Sequence, residues 1–319
     1  MPTTKIELRI DVSGKTELEG RLETAVTVAL PERISDRQPV LFLWPGGGYG
    51  KGYFDIQVPG FEGYSQLEHH AERGFVVVAC DHLGVGESSE PDRSALTPQI
   101  VAEVNRATVD EVLRLLRAGE LTPDASPVPA PIVIGGAHSL GAMLLIVQQA
   151  RQRTFDAVAL LGYSAIRVEP PGLPPGRRTS SGADEAGNEQ TALQAQARFY
   201  CHWEDVPAEI VDADMRGEFP FREPPLPMWG TDRQPGAYHW PIFSPGVAAH
   251  WAATIECPIF LGIGERSTVR DPWAEPAAYR RSRSITLFVC PRMAHAQNFA
   301  STRHLLWDTL VHWMQGAAA

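Results

Sequence analysis

The sequence predicts an α/β fold, a doubly wound and mostly parallel sheet with an inserted cap subdomain, and three observations carry the prediction. Short apolar runs recur without a polar face, helical patterns lie between them, and one long segment breaks the alternation. The first run is residues 40–44 (VLFLW), followed by 74–80, 132–136, 157–161, 259–263 and 285–289. Continuous apolar runs of this length suit strands buried on both faces, which is how parallel sheets read in sequence. The clearest helix falls over 100–117, where Val101, Val104, Val109, Val112 and Leu116 approximate a helical stripe. Strand and helix in alternation imply right-handed βαβ units, with functional loops at the carboxyl ends of the strands. Ahead of these, residues 5–12 and 24–30 have the alternation or β-branched content of antiparallel edge strands.

The chain has 319 residues, 44% hydrophobic and 21% charged, enough to bury a sizeable core. A formal net charge of -10, with no run of Lys or Arg, argues against nucleic acid or an anionic membrane as partner. A small-molecule substrate is the expected partner, and a homodimer is left open. Cys80, Cys201, Cys257 and Cys290 show no metal-ligand spacing and read as buried free thiols, which fits a reducing compartment. The N-terminal residues are charged and mixed where a signal peptide needs an apolar stretch, and no apolar run approaches the roughly 18 residues of a membrane span. A cytoplasmic protein is expected.

Residues 166–251 are rich in Pro, Gly and aromatics, and no strand-helix alternation can be traced through them. They read as a cap inserted into a core made of residues 1–165 and 252–319. Aromatic density in the cap makes Trp203 and Trp229 candidate substrate contacts, although such rings also serve as a cap's own core.

The decisive segment is 132–148, IVIGGAHSLGAMLLIVQ. A buried strand runs through Ala137-His138-Ser139-Leu140-Gly141 directly into an apolar helix. A nucleophile on so tight a turn needs small residues two positions to either side, and Ala137 and Gly141 supply them. The helix begins at Leu140, so its free N–H groups and dipole face an oxyanion formed at the serine. The bland alternative is a serine that merely caps a core helix.

This segment resembles the nucleophile elbow of the α/β-hydrolase family, and residues 81–88 (DHLGVGES) resemble that family's turn after an early strand. The resemblance runs from Val40 to the C-terminus, the cap excepted. It implies a Ser, acid, His order, with Ser139 as nucleophile. His295, just after the last apolar run and before the C-terminal helix, stands where the family's histidine does and would act as general base. His69, His70, His304 and His312 read as packing or surface residues, and no histidine has metal-ligand spacing.

The acid is where the sequence departs from the family. Three residues past Gly264 the family usually has aspartate, and this chain has Ser267. Two carboxylates lie near, and Asp271 is favoured because a loop position before Pro272 can reach toward His295; Glu265, at the strand's end, is the alternative. Residues 45–49 (PGGGY) resemble the glycine-rich oxyanion loop of esterases and lipases, with proline in place of histidine. Gly47 is the expected second oxyanion donor beside Leu140, and Gly48 the alternative. Tyr49 and His138 are also expected to contact substrate. No cofactor is called for.

The expected activity is hydrolysis of a carboxylic ester or lactone of a partly hydrophobic substrate through an acyl-enzyme. A thioesterase, amidase or carbon–carbon hydrolase would carry the same elbow. A lyase or cyclase, or a ligand-binding protein that has lost turnover, belongs to another class, and Ser267 in the place of an aspartate gives the last of these weight.

Overall fold

In the computed structural model, which describes residues 3–123, 125–171, 195–217, 219, 222–233, 242 and 244–318, each apolar run and both leading β-rich stretches of the sequence form strands. The strands are β1 (Thr4–Asp11), β2 (Glu23–Leu30), β3 (Pro39–Trp44), β4 (Val76–Cys80), β5 (Ile132–His138), β6 (Ala157–Leu161), β7 (Ile259–Arg266) and β8 (Ile285–Ala294). They form one eight-stranded sheet in the order β1-β2-β4-β3-β5-β6-β7-β8. β2 runs antiparallel to both its neighbours, and every other pair is parallel. Of the two leading strands only β1 is an edge, because β2 is covered on its other side by β4.

The apolar runs are continuous because the sheet is buried on both faces. In β4, Val76 and Val78 point into one cluster while Val77 and Ala79 point into the other. Fully burying one such valine contributes about 1.5–3 kcal/mol. The first face is covered by α2 (Pro98–Ala118) and α3 (Leu140–Gln152), and the second by α1 (Gln66–Ala71) and α6 (Arg303–Ala318). The local sequence sets the limits of α2. Thr97 caps it by accepting from the Ile100 N–H, Pro98 opens its first turn, and Gly119 closes it at φ 69°.

The winding of the chain reverses beside β3, with β4 on one side of it and β5 on the other. The loops leaving the carboxyl ends of β3 and β5 therefore meet at a switch point, where open α/β sheets bind their ligands. The segment between β6 and β7 contributes a helical stretch over 195–201, then α4 (Ala208–Asp214) and α5 (Ala249–Ala252). Cys201, Ile210, Phe219 and Trp229 from this segment pack in one cluster with Phe299 of the core. Phe221, Tyr238, Trp240 and Phe243, part of the aromatic density read from sequence, lie outside the described residues. All four cysteines are free and buried. Among the described residues, no helix is long and apolar enough to cross a membrane.

Candidate active site

β5 ends at His138 and α3 begins at Leu140, so Ser139 alone makes the turn. Its backbone sits at φ 52° and ψ −118°. A side-chain-bearing residue in such a region costs on the order of 1–3 kcal/mol and persists only where the surroundings enforce it. Here they do. Ala137 is fully buried in the strand pairing, and a Cβ on Gly141 would come within 2.5 Å of the Pro45 carbonyl oxygen. The turn is tight because the β3 loop is pressed against it, and only glycine at 141 permits that approach. A Cβ on Gly46 would likewise lie 2.9 Å from the Ser139 Cβ.

His295 is the first residue past β8, and its backbone is tied down at both ends. Its N–H donates to the Tyr200 carbonyl at 2.8 Å, and its carbonyl accepts from Nε2 of His138 at 2.8 Å. The imidazole Nε2 then lies 3.0 Å from Ser139 Oγ, and Nδ1 lies 3.1 Å from Ser267 Oγ. Burial pushes His295 well below the ordinary histidine range, and the neighbouring His138 adds to the depression. Both effects favour the neutral ring. With Nδ1–H donating to Ser267, Nε2 is left as the acceptor for the Ser139 hydroxyl.

The expected acids are not at this site. Glu265 is exposed and accepts from the Arg292 N–H at 2.8 Å. The pairing of β7 with β8 shifts register between Gly264 and Arg266, and that irregularity accompanies the outward turn of Glu265. Asp271 is also exposed, and its carboxylate accepts from the Trp273 N–H at 3.1 Å, closing a surface turn. The buried Glu275, pushed up to about 7 by burial, holds the Ser164 hydroxyl and the Ala165 N–H instead. Among the described residues, no carboxylate bonds Nδ1 of His295. Ser267, buried at the position three past Gly264, takes that place.

Most of the expected substrate contacts are buried and hydrogen-bonded to other parts of the chain. His138 is buried behind the elbow, stacks on Tyr53 with ring centroids 5.1 Å apart, and spends its Nε2–H on the His295 carbonyl. Tyr49 and Trp229 are buried, and each donates to the Asp214 carboxylate at 2.9 Å. Trp203 is half-buried and lies against the Arg266 guanidinium, 4.5 Å from the ring centroid. Gly48, at φ 79°, turns its carbonyl toward the inserted segment, where Arg222 Nε and the Thr231 N–H donate to it. By contrast, the N–H of Gly47 and that of Leu140, the first residue of α3, have no acceptor among the described residues.

Sequence reasoning missed what braces the β3 loop. His82 Nε2 donates to the Pro45 carbonyl at 3.3 Å, and Asp81, buried, accepts from the Lys51 and Glu87 N–H groups. The 81–88 turn, read only as a resemblance, is a buttress. Asp214 carried no signal of its own in a segment that showed no periodicity.

The alpha/beta hydrolase family model matches residues 40–308, a span that includes Ser139, Ser267 and His295. The chain belongs to this family. No curated protein matches it. Solved structures similar to this alpha/beta hydrolase include a thermophilic esterase from Thermogutta terrifontis, at 13% identity and TM-score 0.60, covering 100% of both chains. A proline iminopeptidase from Mycobacterium smegmatis has 17% identity and TM-score 0.63, covering 98% of each chain. Est816, described as an N-acyl homoserine lactone degrading enzyme, has 16% identity and TM-score 0.57, covering 94% of this chain and 98% of its own. At such identities the likeness is one of fold.

Proposed function

We propose that this alpha/beta hydrolase is a serine hydrolase that cleaves a carboxylic ester or lactone of a partly hydrophobic substrate. The observation that carries the reading is the 3.0 Å approach of His295 Nε2 to Ser139 Oγ on a left-handed turn. Ser139 attacks the acyl carbon as its proton passes to Nε2, and the carbonyl oxygen becomes an oxyanion received by the Leu140 and Gly47 N–H groups. Collapse expels the alcohol, which takes the proton back from Nε2. Water then repeats the sequence on the acyl-enzyme and releases the acid. An esterase and a lactone-degrading enzyme are among the proteins that share this fold, so the fold accommodates the proposed ester or lactone class.

Ser267 does part of an aspartate's task. Its oxygen accepts from Nδ1–H and so fixes the tautomer in which Nε2 is basic, but it brings no negative charge to the imidazolium. That gives a specific second reading, a binding protein that retains the elbow without turnover. A fluorophosphonate probe separates the two. Rapid labelling located on Ser139 by mass spectrometry is the expected result, and failure of the folded protein to label ends the hydrolase reading.

Ser267→Asp tests the third position. A carboxylate beside Nδ1 favours the protonated ring, so the pKa of His295 rises and the acid limb of the pH–rate profile moves to higher pH. At pH 8, where the base is neutral in both forms, turnover of p-nitrophenyl acetate should rise by on the order of 10²-fold, below the roughly 10⁴ that a triad aspartate carries. An unmoved acid limb would show that position 267 does not act on the base.

A further inference from the structure

We propose that Asp214 is a positioning residue that holds the oxyanion loop and the His295 loop in one geometry by joining both to the inserted segment, an inference that rests on the serine-hydrolase reading above. Asp214 is fully buried at the end of α4. Its two carboxylate oxygens accept four hydrogen bonds, each 2.9 Å long, from four separate stretches of chain. Tyr49 Oη and His202 Nε2 donate to Oδ2, and Arg222 Nη2 and Trp229 Nε1 donate to Oδ1. A buried carboxylate is costly unless its lone pairs are filled, and here they are filled by groups that lead to the two catalytic loops.

On the oxyanion side, Tyr49 directly follows the glycines of the β3 loop. Arg222, itself fully buried, also donates from Nε to the Gly48 carbonyl at 3.1 Å, and the Thr231 N–H reaches the same oxygen at 3.2 Å. The Gly50 N–H donates to the Trp229 carbonyl at 3.0 Å. On the base side, His202 follows Tyr200 and Cys201, whose carbonyls accept from the N–H groups of His295 and Ala296 at 2.8 and 3.0 Å. The β3 loop and the β8 loop come from strands separated in the sheet by β5, β6 and β7. The network through Asp214 links Gly48 to His295 from above that sheet. Gly47, the proposed oxyanion donor, sits one residue before the carbonyl that Arg222 and Thr231 fix.

A carboxylate that only stabilised the insertion would change folding and leave the chemistry of the folded enzyme alone. A positioning role instead lowers kcat for p-nitrophenyl acetate with little change in KM, because the oxyanion donors matter most in the transition state. Tyr49→Phe removes one donor and keeps the ring, and it should lose about 10-fold in kcat and in fluorophosphonate labelling rate. Asp214→Asn, which leaves Arg222 without its counter-charge, should lose on the order of 10²-fold, the scale of a misplaced catalytic group. Val112→Ala, on the buried face of α2 and outside the Asp214 network, serves as the control matched for loss of thermal stability. If both variants fold and lose no more kcat or labelling than this control, the proposal is overturned. If Asp214→Asn does not fold, Tyr49→Phe decides the matter alone. Wild-type protein that fails to label overturns the serine-hydrolase reading and the inference with it, a result distinct from labelling that Tyr49→Phe and Asp214→Asn leave intact.

Discussion

Ser139→Ala should abolish turnover of aryl esters, by a factor on the order of 10⁶ in kcat, while the protein melts at its wild-type temperature. The fold should survive because the Ser139 hydroxyl has one partner among the described residues, His295 Nε2, and caps no helix N–H group. The strained backbone at φ 52° is imposed by the packing of Gly141 and Ala137, and alanine tolerates it no worse than serine. Loss of the acyl-enzyme burst with unchanged circular dichroism is the measurement. Residual turnover within ten-fold of wild type would show that Ser139 is not the nucleophile.

His295→Ala should cost nearly as much, with kcat lower by on the order of 10⁴–10⁶. The bonds that shape this loop use backbone atoms of residue 295, its N–H to Tyr200 and its carbonyl to His138, so the truncated side chain leaves them in place. The surviving activity should lose the acid limb of its pH profile, because the group that titrates there has gone. Nucleophile and base act as a unit, so the double variant should be no slower than the Ser139→Ala single. Additive losses in the double variant would mean that another group activates Ser139.

Ser139 and His295, the proposed nucleophile and base, are legible because their signals are local. The strand, small residue, serine, small residue and helix of 132–148 are contiguous, and His295 follows the last apolar run directly. The place beside His295 Nδ1 is legible from its spacing past Gly264, and the side chain that fills it is a hydroxyl instead of a carboxylate. Ser267 stands where an aspartate is expected, and the sequence offers Asp271 and Glu265 as the carboxylates near it. Spacing along the chain cannot show that a register shift accompanies the exposure of Glu265, or that Asp271 closes a surface turn. The inserted segment was the least legible part. Its aromatics read equally well as a pocket lining or as packing, and Trp229 and Tyr49 proved to be packed around Asp214. Whether a ring faces substrate or a buried carboxylate depends on tertiary neighbours that no sequence period encodes. Asp214 itself is one acidic residue among several in its segment, distinguished only by what surrounds it.

The four buried thiols have a practical consequence for anyone handling this enzyme. Burial pushes Cys257 up to about 11 and raises Cys80, Cys201 and Cys290 as well. Since the thiolate is the reactive form, alkylating dyes meet an inert native surface and react only through molecules that have opened. Cys80 lies in β4 and Cys201 in the inserted segment, so the two report on different parts of the chain. Dye uptake at Cys201 ahead of Cys80 would time the insertion's departure separately from collapse of the sheet, without an engineered label.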